Sequence, residues 1–410
     1  MLKLVPIAIT ALLALPLVAQ ETSAGISIPV TMSAGAMYTE RLQLAHPTAT
    51  PSTAGLQLML YPTIQLDSHW FAYAAIDARL APYLYYDAYN PEHDLYANVI
   101  QAYVGYTIRT PKSTLVFKAG QLASAFGAFP LRYDDAQNAL LDQPLSYIQT
   151  LTLRDAQLPC GVKDLLAQPY GSVSNFCGGA AGRARGLTPV TLYGVRGVEA
   201  DFSGHRFDGR LQFTNSSPSH PLSLTDSGQF LQWTAGAGYT IHQGFRVGVS
   251  GFRGPYLNAA LSSLLPAGTT LRDFPANAFG IDAQWARGRW SLSGEWQRFQ
   301  YDSPNFRVSP SVISIYGEAK AIITPRLFLA ARAGWLQPGR AVDKTGASTD
   351  QFAPSMASYE FAAGSWINRY QLLKGSYEWL NIGNRPGTRF NVLGVQLVTT
   401  FHALDRAFHQ

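Results

Sequence analysis

The chain has 410 residues, of which 47% are hydrophobic and 14% charged, against about 25% charged residues in an ordinary soluble domain. With 12% aromatic residues, 36 glycines and 2 cysteines, it is not a disordered chain, a collagen-like repeat or a disulfide-rich miniprotein. The net charge of +5 comes from Lys and Arg residues scattered singly, and because no basic run exists we expect no nucleic-acid binding.

Residues 1–19 have the pattern of a secretory signal peptide. Lys3 precedes an apolar stretch from Leu4 to Val18, and the small Ala19 stands where cleavage is expected. An uncleaved anchor is the alternative. No later run of about 20 apolar residues occurs, so the sequence predicts no transmembrane helix. Residues 20–410 are predicted to form one domain that works outside the cytoplasm.

From residue 26 onward, segments of about ten to fifteen residues alternate apolar with small or polar side chains. In 278–286, Phe279, Ile281 and Trp285 share one face of an extended chain, and Asp282 and Gln284 share the other. An alternation that repeats every two residues predicts β-strands. Sixteen are expected, near 26–44, 55–66, 69–86, 96–109, 113–124, 188–202, 206–216, 228–240, 245–257, 275–287, 289–302, 311–324, 326–338, 354–369, 371–383 and 389–402.

The connections between these segments alternate between very short and long. Asp67-Ser68 and Arg287-Gly288 are short, whereas 217–228, 258–273 and 337–354 are long. This alternation is typical of an up-and-down antiparallel transmembrane β-barrel with tight periplasmic turns and larger outer loops. The predicted fold class is therefore all-β, with both termini in the periplasm.

Low charge favours a membrane barrel over a soluble β-sandwich, whose polar faces would carry many Lys and Glu residues into water. Aromatic residues near strand ends on the apolar face would form girdles at the lipid headgroups. These are Trp70, Tyr239, Trp285, Trp290, Trp335 and Trp379. The expected partners are outer-membrane lipid and lipopolysaccharide, and a secreted soluble β protein is the alternative.

The polar face of the strands predicts a lumen lined by cross-strand charge pairs. The inward cations are Arg79, Arg109, Lys118, Arg210, Arg246, Lys320, Arg332 and Lys374. The inward anions are Asp77, Glu199, Asp208, Asp282, Glu295, Glu318, Glu360 and Glu378. These side chains either shape the path of hydrated solutes or serve as structural lining. Arg196 lies on the opposite face from Glu199, and a bulge at Gly194 or Gly197 would reconcile the two.

Residues 125–187 form by far the longest connection. Long loops inside compact domains are usually functional, so this third outer loop is predicted to fold inward and narrow the lumen. Its candidate constriction residues are Arg132, Asp134, Asp135, Arg154, Asp155 and Lys163. Cys160 and Cys177 can form a disulfide that stiffens it. A surface loop that merely caps the mouth is the alternative.

Several motifs around this loop resemble the outer-membrane porins of the phosphate-selective type. They are Phe117-Lys118-Ala119-Gly120-Gln121, Ala125-Phe126-Gly127, Leu131-Arg132-Tyr133-Asp134, Asn138, Asp142-Gln143-Pro144-Leu145 and Tyr193-Gly194-Val195-Arg196-Gly197-Val198-Glu199. The resemblance implies a sixteen-stranded barrel, usually a homotrimer, for passive diffusion of small solutes. The chain lacks the dense Arg and Lys ladder of the phosphate-specific members, so phosphate selectivity is not expected.

The eight histidines lie mostly in turns and loops, and no Gly-x-Ser-x-Gly or His-Glu-x-x-His motif occurs. We therefore expect no enzyme activity, no metal and no cofactor. Loss of Lys3 with the signal peptide lowers the net charge from +5 to +4, which predicts a mild anion preference. The competing hypothesis is a non-conducting outer-membrane barrel, an adhesin or a hydrolase, whose loop plugs the lumen.

Overall fold

A computed structural model describes residues 24–40, 51–80, 95–132, 134–167, 176–179, 186–191, 193–215, 217, 230–383 and 389–407. The predicted signal peptide, residues 1–19, lies outside these residues, as do residues 168–175 and 180–185 of the longest loop. Among the described residues, no helix is long and apolar enough to cross a membrane.

Sixteen antiparallel strands form a closed barrel. They are β1 (Gly25–Thr39), β2 (Ser52–Leu60 and Thr63–Gln65), β3 (Trp70–Leu80), β4 (Leu95–Arg109), β5 (Ser113–Ala123), β6 (Tyr193–Gly204), β7 (Phe207–Thr214), β8 (Gln232–His242), β9 (Phe245–Gly254), β10 (Ala276–Arg287), β11 (Trp290–Tyr301), β12 (Ser311–Ile322), β13 (Leu327–Pro338), β14 (Met356–Trp366), β15 (Gln371–Ile382) and β16 (Arg389–Ala407). All sixteen predicted segments are confirmed as strands, each pairing with its neighbour in sequence.

The barrel closes where β1 pairs with β16, from Gly25 opposite Ala407 to Thr39 opposite Val392. This pairing removes both free edges of the sheet, as a lipid environment requires. Pro62 interrupts β2, yet the ladder continues across the break. Tyr61 N donates to Pro29 O and Ala74 N donates to Pro62 O, both at 2.9 Å.

The two faces of each strand differ as predicted. Phe279 and Ile281 are each 48% exposed on the outside, whereas Asp282 between β9 and β11 is buried inside. The predicted aromatic residues lie on the outer face at two levels. Trp70 packs 4.8 Å from Tyr106 near the short turns, and Tyr359 lies 5.5 Å from Trp379 near the long loops. These two levels match the girdles of a membrane barrel.

Strand β6 departs from its predicted boundaries and pattern. It begins at Tyr193 instead of residue 188, because Leu187 and Val190 pair with the long loop instead of the sheet. The predicted bulge lies at Gly194, where the register with β5 shifts and φ is +91°. It does not reconcile Arg196 with Glu199. Arg196 stays on the outward face and donates from Nε to Gln121 Oε1 at 3.3 Å.

Short elements within the outer loops complete the described fold. They are 3₁₀ helices at Phe129–Arg132, Ala259–Leu264 and Leu271–Asp273, α-helices at Leu145–Ile148 and Val162–Ala167, a hairpin of Gln157–Pro159 with Phe176–Gly179, and a small sheet of Phe306–Val308, Ala341–Asp343 and Ser348–Thr349.

The outward and inward faces predict opposite responses to a new charge. Ile281→Arg places a guanidinium on the exposed apolar face in the middle of β10, which costs about 2–4 kcal/mol of unfolding free energy in lipid. Ser293→Arg faces inward opposite Glu318 and should change that free energy by less than about 1 kcal/mol. Urea unfolding of the two variants in lipid vesicles measures both. Equal losses would contradict the assignment of the faces.

Candidate functional site

Ion pairs line the inner wall of β3 to β10. Lys118 on β5 pairs with Glu199 on β6 at 2.9 Å and also contacts Asp201. Arg246 on β9 bridges Asp208 and Asp282, each at 2.6 Å. Each of these cations contacts two carboxylates, so the wall carries its charges as mutually neutralising groups.

The same principle extends to β12, β13 and β14. Arg332 donates to Glu318 at 3.0 Å and to Glu360 at 3.4 Å. The loop residue Arg132 reaches Glu318 from the other side at 3.1 Å. Both guanidinium groups lie within 6 Å of the Phe129 ring, at 5.5 and 5.7 Å from its centroid. A wall carboxylate therefore joins the barrel to the long loop.

Glu295 on β11 is the most heavily bonded of these carboxylates. Five donors point at its two oxygens: the Ala128 and Phe129 N–H groups at 3.0 and 2.7 Å, the Tyr316 and Tyr147 hydroxyls at 2.7 and 2.8 Å, and the Gln297 amide at 2.6 Å. Burial and the nearby carboxylate raise the pKa of Tyr147 well above its ordinary value, which keeps its hydroxyl a donor. Glu295 thus fixes the start of the loop.

A second set of contacts fixes residues 134–142 of the loop. Glu360 accepts from the N–H groups of Leu141 and Asp142 at 2.8 and 3.2 Å. Lys374 is buried and donates to three loop carbonyls. These are Asp135 O at 2.8 Å, Asn138 O at 3.1 Å and Leu140 O at 3.3 Å. Charged side chains of the wall therefore hydrogen-bond to N–H and C=O groups of the loop backbone. Capping side chains bond in the same way to the unpaired backbone groups at helix ends.

Asp134 belongs to the same segment and contacts β2, where it accepts from the Tyr61 hydroxyl. Burial raises the pKa of the Asp134 carboxyl. Arg210 on β7 donates to Gly127 O at 3.0 Å. Contacts from β2, β7, β11, β14 and β15 therefore meet on residues 127–142.

Apolar packing adds to these polar contacts. Loop residues Phe126, Phe129 and Leu151 belong to one buried cluster with wall residues Phe252 and Phe299. The ring of Phe126 lies 5.2 Å from Phe252 and 5.7 Å from Phe299. The loop is thus held by a small hydrophobic core as well as by charges.

The outer part of the loop is held by covalent and polar links. Cys160 and Cys177 form the predicted disulfide, with their Cα atoms 5.0 Å apart. Asp343 accepts from Val162 N at 3.0 Å at the start of the helix Val162–Ala167. Hydrogen bonds from the Thr345 hydroxyl and from Val162 N hold the pKa of Asp343 below its usual value.

The structure places the predicted site residues in three groups: interior residues with ion pairs or loop contacts, two interior residues with other contacts, and four residues outside the interior wall. The first faces the interior and makes ion pairs or loop contacts: Arg79, Lys118, Arg132, Asp134, Asp135, Arg210, Arg246, Asp282, Glu295, Glu318, Arg332, Glu360 and Lys374. The second group is Glu378 and Lys320. Glu378 accepts a hydrogen bond from Ser358 Oγ at 2.5 Å, and the Lys320 ammonium lies 4.3 Å from the centroid of the Phe328 ring.

Four predicted residues lie elsewhere. Arg109 is exposed at the end of β4 beside a short turn. The backbone of Arg154 forms an isolated antiparallel β-bridge with Gly186. The backbone carbonyl of Asp155 accepts from Asn258 N at 2.9 Å, and Lys163 is exposed on the helix Val162–Ala167. The last three belong to the outer part of the loop, away from the ion pairs of the wall.

Sequence reasoning missed Asp201, Tyr147 and Gln297. Asp201 follows Glu199 by two residues on the same face, so period two could have identified it. The roles of Tyr147 and Gln297 depend on contacts between residues about 150 positions apart, for which one sequence carries no signal. No group of three or more His, Cys, Asp or Glu side chains in the described part of the chain is arranged to hold a metal ion.

No protein-family model matches the sequence, and no curated protein sequence is detectably similar. Solved structures share the fold. The outer membrane channel DcaP of Acinetobacter baumannii is 9% identical, with a TM-score of 0.56 and coverage of 93% of this chain and 99% of that one. An anion-selective porin from Comamonas acidovorans is 10% identical, with a TM-score of 0.54 and coverage of 92% and 100%. OmpT, an outer membrane protein of Vibrio cholerae, is 10% identical, with a TM-score of 0.50 and coverage of 93% and 100%.

At these identities the likeness shows the fold alone, a closed antiparallel β-barrel. A closed sixteen-stranded barrel with an exposed apolar outer face places the chain in the bacterial outer membrane.

Glu295→Gln tests the anchoring of the loop. An amide keeps one acceptor oxygen but turns an NH₂ group toward donors, so buried N–H and O–H groups lose their partner. We expect a loss of about 3 kcal/mol of unfolding free energy and faster proteolysis within residues 124–153.

The matched control is Asp208→Asn, because Arg246 keeps its pair with Asp282. This variant should lower the free energy of unfolding by less than about 1 kcal/mol. If the Glu295 variant resisted protease as well as the native chain does, Glu295 would not be the anchor of the loop.

Proposed function

We propose that the chain is an outer-membrane porin that lets small hydrophilic solutes cross by passive diffusion. The observation that carries this proposal is the unequal burial of the inner wall. Lys118 is 20% exposed and Asp208 23% exposed, although both face the interior of a closed barrel. Under the loop, Lys374 is fully buried and Glu360 nearly so. Water therefore reaches one side of the interior.

The proposed path runs beside the loop, along the wall formed by β2 to β7. Gln57, Tyr73, Arg79 and Tyr103 face inward there and are partly exposed. Alternating charges such as the Arg79–Asp77 pair would present a transverse field to hydrated solutes. In this proposal residues 124–165 are the constriction, and the ion pairs of the wall set its shape.

One observation favours the alternative of a non-conducting barrel. The loop forms a hydrophobic core with the wall, in which Phe126, Phe129 and Leu165 are fully buried. A loop held this firmly would plug the lumen if it also covered the side of β2 to β7. Such a barrel would serve as an adhesin or a hydrolase. The porin proposal involves no enzyme activity and no cofactor.

We further propose a homotrimer embedded in phospholipid and lipopolysaccharide. The outer face of β13 to β16, β1 and β2 has a groove of about 960 Å³ with little polar surface. The small residues Ala36, Ala54, Ala363 and Gly375 line it. Small side chains let two membrane-spanning surfaces approach closely, which suits contact with another copy. OmpT of Vibrio cholerae, which shares the fold, was solved in a trimer form.

Conductance across a planar lipid bilayer tests the porin proposal, and two cysteine variants test the path. Gln57→Cys places a thiol on the partly exposed wall, and Ser358→Cys places one under the loop. Because both native cysteines form the disulfide, the new thiol is the only reactive one. A charged, membrane-impermeant methanethiosulfonate should reduce the current of Gln57→Cys channels and leave Ser358→Cys channels unchanged.

Native protein without any conductance steps would favour the plugged barrel. If the reagent did not change the conductance steps of Gln57→Cys channels, the solute path would not run along β2 to β7.

A further inference from the structure

The short-turn end of the barrel carries an unusual concentration of positive charge. We define the periplasmic collar as the seven short turns with the strand residues that flank them, together with the end of β16. Its described residues include eight Lys or Arg residues and only two acidic ones, Asp67 and Asp405. The whole chain has a net charge of +5, so the positive excess of the protein is concentrated at this end.

Seven of the eight cations lie in the short turns or at a strand end directly beside one. Arg206, Arg289 and Arg326 each immediately precede the first residue of a strand: Phe207, Trp290 and Leu327. Those three apolar side chains are exposed on the lipid side, at 60%, 56% and 36%. These three cations are exposed turn residues at the rim of the barrel, beside the pore mouth.

Arg109 and Lys112 lie at the turn between β4 and β5, and Arg109 has the inward alternation of its strand. Arg109 comes directly after Ile108, which is exposed on the lipid side, and Lys112 precedes Ser113 on the outward face of β5. The remaining cations, Arg287, Arg369 and Arg406, complete the collar. The turns surround the mouth of the barrel, so these charges stand within a few residues of any solute that enters there.

The collar cations differ from those of the wall because carboxylates do not neutralise them. None of the eight forms an ion pair within the described ranges. Arg206 and Arg289 donate to the carbonyls of Ile241 and Ile323 in the next hairpin, both at 3.3 Å. These contacts fix the positions of the guanidinium groups and leave their charge uncompensated.

Uncompensated charges around an aperture act together on ions in the mouth. Their field extends over a Debye length of about 30 Å in 0.01 M salt and about 3 Å in 1 M salt. A low-dielectric rim focuses such a field and raises the local concentration of counter-ions.

We infer that the periplasmic collar concentrates anions at the inner mouth, so that the pore prefers small anionic solutes over cations in dilute salt. The inference rests on the proposed porin function. It assigns the preference to the collar, since the charges of the wall are already paired.

Reversal potentials across a planar bilayer test this with potassium chloride as the probe. Between solutions of about 10 and about 100 mM, the native channel should favour chloride over potassium about threefold. The collar variant, with Arg109→Gln, Lys112→Gln, Arg289→Gln and Arg326→Gln, should bring that ratio close to one. In about 1 M salt the preference of the native channel should also vanish.

A control variant removes four exposed cations from the other end of the barrel: Arg272→Gln, Arg298→Gln, Arg307→Gln and Lys344→Gln. It changes the net charge equally and should keep the native preference. Equal conductance steps of all three proteins in about 1 M salt would establish that each is folded and open.

A collar variant that kept the chloride preference, or a native channel that favoured potassium, would overturn the inference while leaving the porin proposal intact. A native protein without steps would overturn both.

Discussion

Every backbone N–H and C=O group of a membrane-spanning segment must find a partner inside the protein, since hydrocarbon offers none. For β-strands this requirement can be met only by a ladder without free edges. The pairing of β1 with β16 provides that closure, and the remaining features of the molecule depend on it. Pro62 shows how strictly the ladder is kept, because hydrogen bonds on both sides of the break continue it.

Closure creates an enclosed interior, and the charged residues divide between two uses of it. On the side of β3 to β10, cations pair with carboxylates of the wall and stay partly in contact with water. On the side of β11 to β15, Glu295, Glu360 and Lys374 are buried and hold the backbone of the long loop. A buried charge without a partner costs several kcal/mol, so the loop and these residues stabilise each other.

Much of the fold follows from local sequence, because strand periodicity and turn residues are local properties. All sixteen strands and the disulfide were predictable for that reason, whereas the start of β6 depends on pairing between Leu187 and Leu153 across the loop. The alternation of side chains along each strand also predicted which of them face inward. It could not distinguish Lys118, which meets water, from Lys374, which binds three carbonyls, since only the course of the loop separates them. Arg109 has inward parity but lies at the rim, because the strand ends there.

The central claim is that one face of each strand contacts lipid and the other faces a protein-lined, partly aqueous interior. Spin labels placed singly at residues 278–286 of β10, in protein folded into vesicles, test it most directly. Collision with oxygen, which dissolves in lipid, should be highest at 279, 281, 283 and 285. Collision with a water-soluble nickel chelate should be low at those positions and higher at 284, which is partly exposed on the inward face. Oxygen accessibility that did not alternate with period two, or outward positions open to the chelate, would contradict the account.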